Sequence, residues 1–296
     1  MHPNPILNKL GFSNTDRLVI IHTDDIGMCQ ASIQAYADLW DFGTISSGAV
    51  MVPCPWFPAA AELCRIHPET DMGVHLTLTS EWQFYRWGPV STRGADSGLM
   101  DAEGYFPRAD AEVQESADPD RAALELEAQV RRALDFGIDV SHIDTHMAAI
   151  AHPKFTPAYI QLAHKFRLPP LIPRLDAAGF EKLDFDSETA AFLASMIGQL
   201  EEQGLPLVDN ATSLPLDQPD GQLALAKKML AELPTGLTHF ILHPSIDTPE
   251  LRAITPDWPS RVANYRTFMS QEIKDFMKDA GIHVIGYKSL RALMRN

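Results

Sequence analysis

Cysteine is scarce in this 296-residue chain: Cys29, Cys54 and Cys64 are an odd number and have no C-x-x-C spacing. That argues against a disulfide framework, leaves buried free thiols as the simplest reading, and fits a reducing cytoplasm. Long apolar runs are missing too. No stretch reaches the roughly 18 consecutive apolar residues that suggest a membrane span. The opening MHPNPILNKLGF lacks a charged segment followed by an apolar one, so no signal peptide is expected. Basic charge is in deficit, with 24 Lys and Arg against 39 Asp and Glu and a net charge of -15. Nucleic-acid binding, which wants a basic face, is disfavoured. There is no low-complexity tract, linker or internal repeat. No G-x-G-x-x-G follows the first apolar run, which disfavours a dinucleotide site.

What is present is 45% hydrophobic content, enough for one large core. A single domain over 1–296 is expected, and barrels of this length commonly form one. The chain is organised around 17–29, RLVIIHTDDIGMC. Its apolar run 18–21 reads as a buried parallel strand ending in Asp24, Asp25 and then Gly27. Adjacent carboxylates at such a strand end are costly to bury uncompensated. Either a cation sits there or the pair faces water.

Alternation continues along the chain. Further strands are predicted at 46–52, 72–78, 140–146, 170–175, 205–208, 238–243 and 282–287. Helices are predicted at 30–41, 57–66, 121–136, 156–166, 188–203, 221–232 and 261–278, with a short one at the end. Periodicity is lost between about 79 and 120, where Pro, Gly and acids mix with Trp82, Phe84, Tyr85, Trp87, Tyr105 and Phe106. Such a loop is either a functional insertion or a mobile one with its aromatics tucked onto the body. Seven or eight alternating βα units predict an α/β fold, a deformed (β/α) barrel of seven or eight parallel strands, TIM-barrel-like. An open doubly wound sheet is the alternative.

Polar residues fall at the strand ends. Asp24 and Asp25 follow the first strand, and His75 lies towards the end of the third. His146, Arg174 and His243 end the strands at 140–146, 170–175 and 238–243. In parallel barrels these ends converge on one face, where catalytic groups sit. His142, Asp144 and His146 alternate and so share one face. Three histidines and two acids at corresponding positions are explained economically by a divalent metal. Two imidazoles and one carboxylate leave positions open to water and substrate, as catalytic sites require. The set suits zinc, cobalt, iron, nickel or manganese without selecting among them.

TDDIG at 23–27, GVHLTL at 73–78, HIDTH at 142–146 and ILHP at 241–244 resemble, in the same order, motifs of the YdjC-like (ChbG/HpnK-type) carbohydrate deacetylases. These are relatives of the NodB-type polysaccharide deacetylases. LMDAEGYF at 99–106 resembles the long loop of that family. The resemblance implies a deformed (β/α) barrel and metal-dependent hydrolysis of an N-acetyl group on a small sugar or glycoconjugate. One divalent ion (Zn, Mg, Co or Mn) is implied, with no nucleic-acid partner and a homodimer left open. Carried over by motif, Asp25, His75 and His146 would be metal ligands, Asp24 the general base and His243 the general acid. Arg174, Trp82 and Asp144 are assigned to the substrate side, and Asp144 is also expected to hold a histidine through its second ring nitrogen. His22 and His142 are expected to be structural or rim residues.

Two departures stand out. Thr23 and Ile26 replace the Ala and Phe usual in the first motif. Met147, Ala148 and Ala149 follow His146 where relatives commonly add histidines, and His152 is out of step. Rival functions remain. His22-x-Asp24 with a later histidine matches the ligand pattern of iron(II) oxygenases, though those usually sit on β-rich folds. No H-x-H follows the first strand, against a binuclear amidohydrolase. A hydrolase of non-sugar amides or esters, or a non-catalytic sugar-binding barrel, completes the alternatives.

Overall fold

The longest strand, β1 (Arg17–Ile26), runs through the middle of the sheet. It belongs to a computed structural model that describes residues 2–182 and 186–295. The other strands are β2 (Ser47–Val50), β3 (Met72–Leu76), β4 (Ile143–Thr145), β5 (Asn210–Ser213), β6 (Gly236–Leu242) and β7 (His283–Val284). Their order is β4-β3-β2-β1-β6-β5, with β7 on the first residues of β1, and every pairing is parallel. The sheet curls into a deformed (β/α) barrel.

The two edge strands meet through residues 170–173, which bridge Ile143 on one side and Val208 on the other. The strand expected at 170–175 is reduced to these single bridges. Pro169, Pro170 and Pro173 have no N–H to give, so no longer ladder can form. The strand expected at 205–208 likewise shifts, leaving a bridge at Val208 and a ladder at Asn210–Ser213.

Helices flank the strands largely where the apolar periodicity put them, as at Gln30–Phe42, Phe57–Ile66 and Thr156–Phe166. The helix expected over 261–278 is instead two, Trp258–Phe268 and Gln271–Asp279. Ser270 interrupts it: its side chain accepts from the Ile273 N–H and starts the second helix, as an N-cap serine does.

The two faces of β1 belong to different cores. Val19 and Ile21 join the large cluster shared with the helices. Leu18 and Ile20 join a smaller one with Ile6, Leu7, Val208, Leu237, Tyr287 and Leu290. Residues from the helices Pro5–Lys9 and Tyr287–Arg295 thus fill the barrel near the start of β1. Above that apolar floor the inward face of β1 continues as His22 and then Asp24.

The 79–120 loop is pinned to the body. Trp87 Nε1 donates to Thr79 O at 2.8 Å, and the Arg86 guanidinium donates to Asp101 Oδ2 and Phe106 O, both at 2.7 Å. Buried Glu125 accepts the Val90 and Ser91 N–H groups. Among the described residues no helix is long and apolar enough to cross a membrane.

Candidate active site

Adjacent residues of a regular strand point to opposite faces, so Asp24 and Asp25 should not share a site. β1 breaks the rule with a bulge. Thr23 pairs with Gly48 and Ile26 with Val50, so β1 advances three residues while β2 advances two. Asp25 takes up the extra residue with φ +62°, a left-handed conformation uncommon outside glycine. Both carboxylates consequently reach the same buried mouth.

There Asp25 meets the two expected histidines. Its Oδ1 lies 3.2 Å from His146 Nδ1 and 3.5 Å from His75 Nε2, and all three side chains are buried. The far nitrogen of each ring faces a carboxylate. His75 Nδ1 is 2.8 Å from Asp144 Oδ1, and His146 Nε2 is 3.1 Å from Glu81 Oε2. Such pairs fix the ring orientation and raise the basicity of the nitrogen facing the centre. Gly73 makes room for the neighbouring ring, since a Cβ there would come within 2.4 Å of His142.

The other oxygen of Asp25 is claimed by Arg261, whose Nη1 donates to Oδ2 at 2.7 Å. Asp257, one turn earlier on the same helix, holds the guanidinium from behind. Burial would raise the Asp25 pKa, but Arg261 and then His146 and His75 hold it well below the usual carboxylate range. Asp24 has no such cation. Burial raises its pKa, with partial opposition from His75 and His243. Its Oδ2 lies 3.7 Å from both His75 Nε2 and His243 Nε2. His243 follows β6, its backbone N–H donating to Asn264 Oδ1 at 2.9 Å, and burial lowers its pKa.

A divalent cation fits the Asp25, His75 and His146 donors on two grounds. Asp25 Oδ1 is buried and, among the described residues, makes no hydrogen bond, which native interiors rarely tolerate. Three buried carboxylates, Asp24, Asp25 and Asp144, also gather here, and the buried Arg261 guanidinium pairs with Asp25. Protons respond to the same imbalance. Burial pulls the His146 pKa down, yet Glu81 and Asp25 outweigh it and push the value up to about 9. His75 is raised well above its ordinary value, with Asp144 and Asp24 overcoming its burial.

Of the residues expected on the substrate side, Arg174 is not brought here. Its guanidinium is buried against Asp209 Oδ1 at 2.7 Å and Glu201 Oε1 at 2.8 Å. Asp209 precedes β5 and binds the N–H of Leu237, at the start of β6, so the group lies at the opposite end of the barrel. Asp144 is buried behind His75, with its Oδ1 2.8 Å from the Nδ1 of that ring. Trp82 does stand beside the centre, its ring 5.6 Å from the Arg261 guanidinium carbon, but it is 7% exposed and walls the site. Arg261 and Glu81 were not anticipated. Glu81 sits in an aperiodic loop, and Arg261 reads as one charge on a helix.

A family model described as YdjC-like protein matches residues 18–279. A carbohydrate deacetylase from Thermus thermophilus is 32% identical over 286 residues, 97% of this chain and 98% of its own. A second carbohydrate deacetylase, from Thermoanaerobacter pseudethanolicus, is 24% identical over 275 residues, covering 93% of this chain and 100% of its own. Among solved structures, a candidate cellobiose-phosphate cleavage protein from Enterococcus faecalis V583 superposes with a TM-score of 0.73 at 22% identity. That match covers 93% of this chain and 99% of the other, and at this identity it speaks to the fold alone.

Proposed function

The chain belongs to the YdjC-like family, and from that footing we propose that it is a metal-dependent hydrolase removing an N-acetyl group from an amino sugar or small glycoconjugate. The observation that carries the reading is the convergence of Asp25, His75 and His146 around a carboxylate oxygen with no hydrogen-bond partner. A deacetylase class is supported by relatives of that name along nearly the whole chain.

A zinc, magnesium, cobalt or manganese ion held by Asp25, His75 and His146 would polarise the acetamide carbonyl and bring the pKa of a bound water towards roughly 7. Arg261 keeps Asp25 ionised, and Asp144 and Glu81 hold the two imidazoles in place. Asp24 Oδ2 takes the proton of the attacking water. A base of raised pKa suits that work, and acid–base steps of this kind contribute about 10²–10⁴-fold. His243 Nε2 delivers a proton to the nitrogen of the breaking amide bond, which leaves poorly without one. Because burial lowers its pKa, protonated His243 gives that proton up readily. The products are acetate and a free amine.

The test is acetate release from a panel of N-acetylated mono- and disaccharides and glycolipids, with each metal supplied in turn and oxygen excluded. Turnover of at least one sugar by protein holding a divalent ion is expected. Sugar binding without acetate release under any metal would instead make this a non-catalytic barrel. Turnover confined to non-sugar amides or esters would move the substrate class.

A further inference from the structure

Beneath the centre, inside the barrel, lies a second buried group: His22, Asp24, Asp144 and His239. Short contacts link it in a row to Asp24. The buried Ser141 hydroxyl lies 2.8 Å from His142 Nδ1, and when the hydroxyl donates there Nδ1 is the acceptor. His142 then carries its ring proton on Nε2, which lies 2.9 Å from His22 Nε2. Accepting there leaves His22 with its proton on Nδ1, 2.8 Å from Asp24 Oδ1. Burial, opposed by Asp144 and aided by His142 and His75, holds the His22 pKa well below its usual value. Asp144 Oδ2 lies 3.4 Å from His22 Nε2 and 3.8 Å from His142 Nε2 and makes no hydrogen bond to either. Tyr287 Oη lies 2.9 Å from His239 Nδ1, so a donating phenol would put the His239 proton on Nε2. The 2.8 Å contact of His22 Nδ1 with Asp24 Oδ1 makes this group a hydrogen-bonded support of that carboxylate.

From this chain we infer that His22 is the positioning residue for Asp24. It occupies Oδ1, fixes the carboxylate plane, and leaves Oδ2 as the oxygen that faces His75 and His243. The two oxygens therefore have different work, one anchored to the barrel interior and one available to the reacting water. The inference rests on Asp24 being the general base of the deacetylase reading.

Two substitutions separate the halves of the imidazole. Asparagine places an amide group near the position of Nδ1, and glutamine near that of Nε2. His22→Asn keeps a donor for Asp24 and should retain kcat within about fivefold, whereas His22→Gln should lose about 10–100-fold, the scale typical of groups that orient a catalytic one. KM and metal content should not change in either. Equal losses in both, or a greater loss in His22→Asn, would overturn the assignment. A second readout needs no turnover: ¹⁵N NMR of the histidine rings should show His22 protonated on Nδ1 alone, and a proton on Nε2 alone would sink the chain as drawn. If wild type releases no acetate, the functional reading fails, while the NMR result still decides whether Asp24 is held this way.

Discussion

Arg261 and Asp25 meet 2.7 Å apart at the mouth of the barrel, although 236 positions separate them in the chain. The guanidinium takes Oδ2 and leaves Oδ1 to face His146 and His75. One carboxylate is thereby divided between a permanent cation and an opening suited to a second one. Removing Arg261 strips a buried carboxylate of its guanidinium partner, which costs about 3–5 kcal/mol in comparable pairs. Arg261→Met is expected to lower unfolding free energy by that order in chemical denaturation, and added metal to recover part of the loss. A variant as stable as wild type would show that Asp25 does not depend on the pair.

The neighbouring acids should behave differently. Asp24→Asn is expected to keep its metal and lose about 10²–10⁴-fold in turnover. Asp25→Asn should lose metal. Metal content by elemental analysis beside acetate release distinguishes them, and the opposite pattern would exchange their roles.

Glu81 lies on the far side of His146, so its effect should appear first in affinity. Glu81→Gln keeps the shape of the side chain and removes its charge. A metal affinity about 10–100-fold weaker is expected, read by competition with a chelating dye. No change would reduce the contact to a packing neighbour.

The two histidines give a sign for pH. With no metal bound, the His146 pKa is raised from 6.5 to about 9. A raised folded-state pKa adds stability that is fully present below the unfolded value of about 6.5 and lost as pH rises through the folded one. Chelator-treated protein should therefore lose thermal stability between pH 6.5 and 9. Metal must displace the same proton, so its affinity should rise over that range. Calorimetry in buffers of different ionisation enthalpy will register the released protons. Binding without proton release would contradict the shift.

Arg174 supplies the converse test. Arg174→Met leaves Asp209 and Glu201 without their buried partner, and a loss of about 3–5 kcal/mol is expected. At temperatures where the variant stays folded, kcat/KM should equal that of wild type. A fall in kcat/KM would return Arg174 to the substrate.

Much of this molecule is legible in its sequence, because periodicity is a local property. Apolar alternation locates the strands, 3.6-residue spacing locates most helices, and polar residues at strand ends place Asp25, His75 and His146 within reach of one another. The same reasoning misplaces Arg174. Which end of a stave a residue occupies depends on its bridging partners, and three prolines hide that register. It brings Asp24 and Asp25 to one strand end without showing how both reach the same mouth, since regular alternation would send them to opposite faces. The bulge that unites them exists only against β2, where one strand advances an extra residue beside its neighbour. Arg261, Glu81 and the His142–His22 chain arise in the same way, from elements that touch only once the barrel has closed. The residues capable of the chemistry are thus written into the sequence. Which oxygen of which carboxylate faces a cation, a histidine or water is decided by tertiary contact, because only folding fixes both partners of a hydrogen bond.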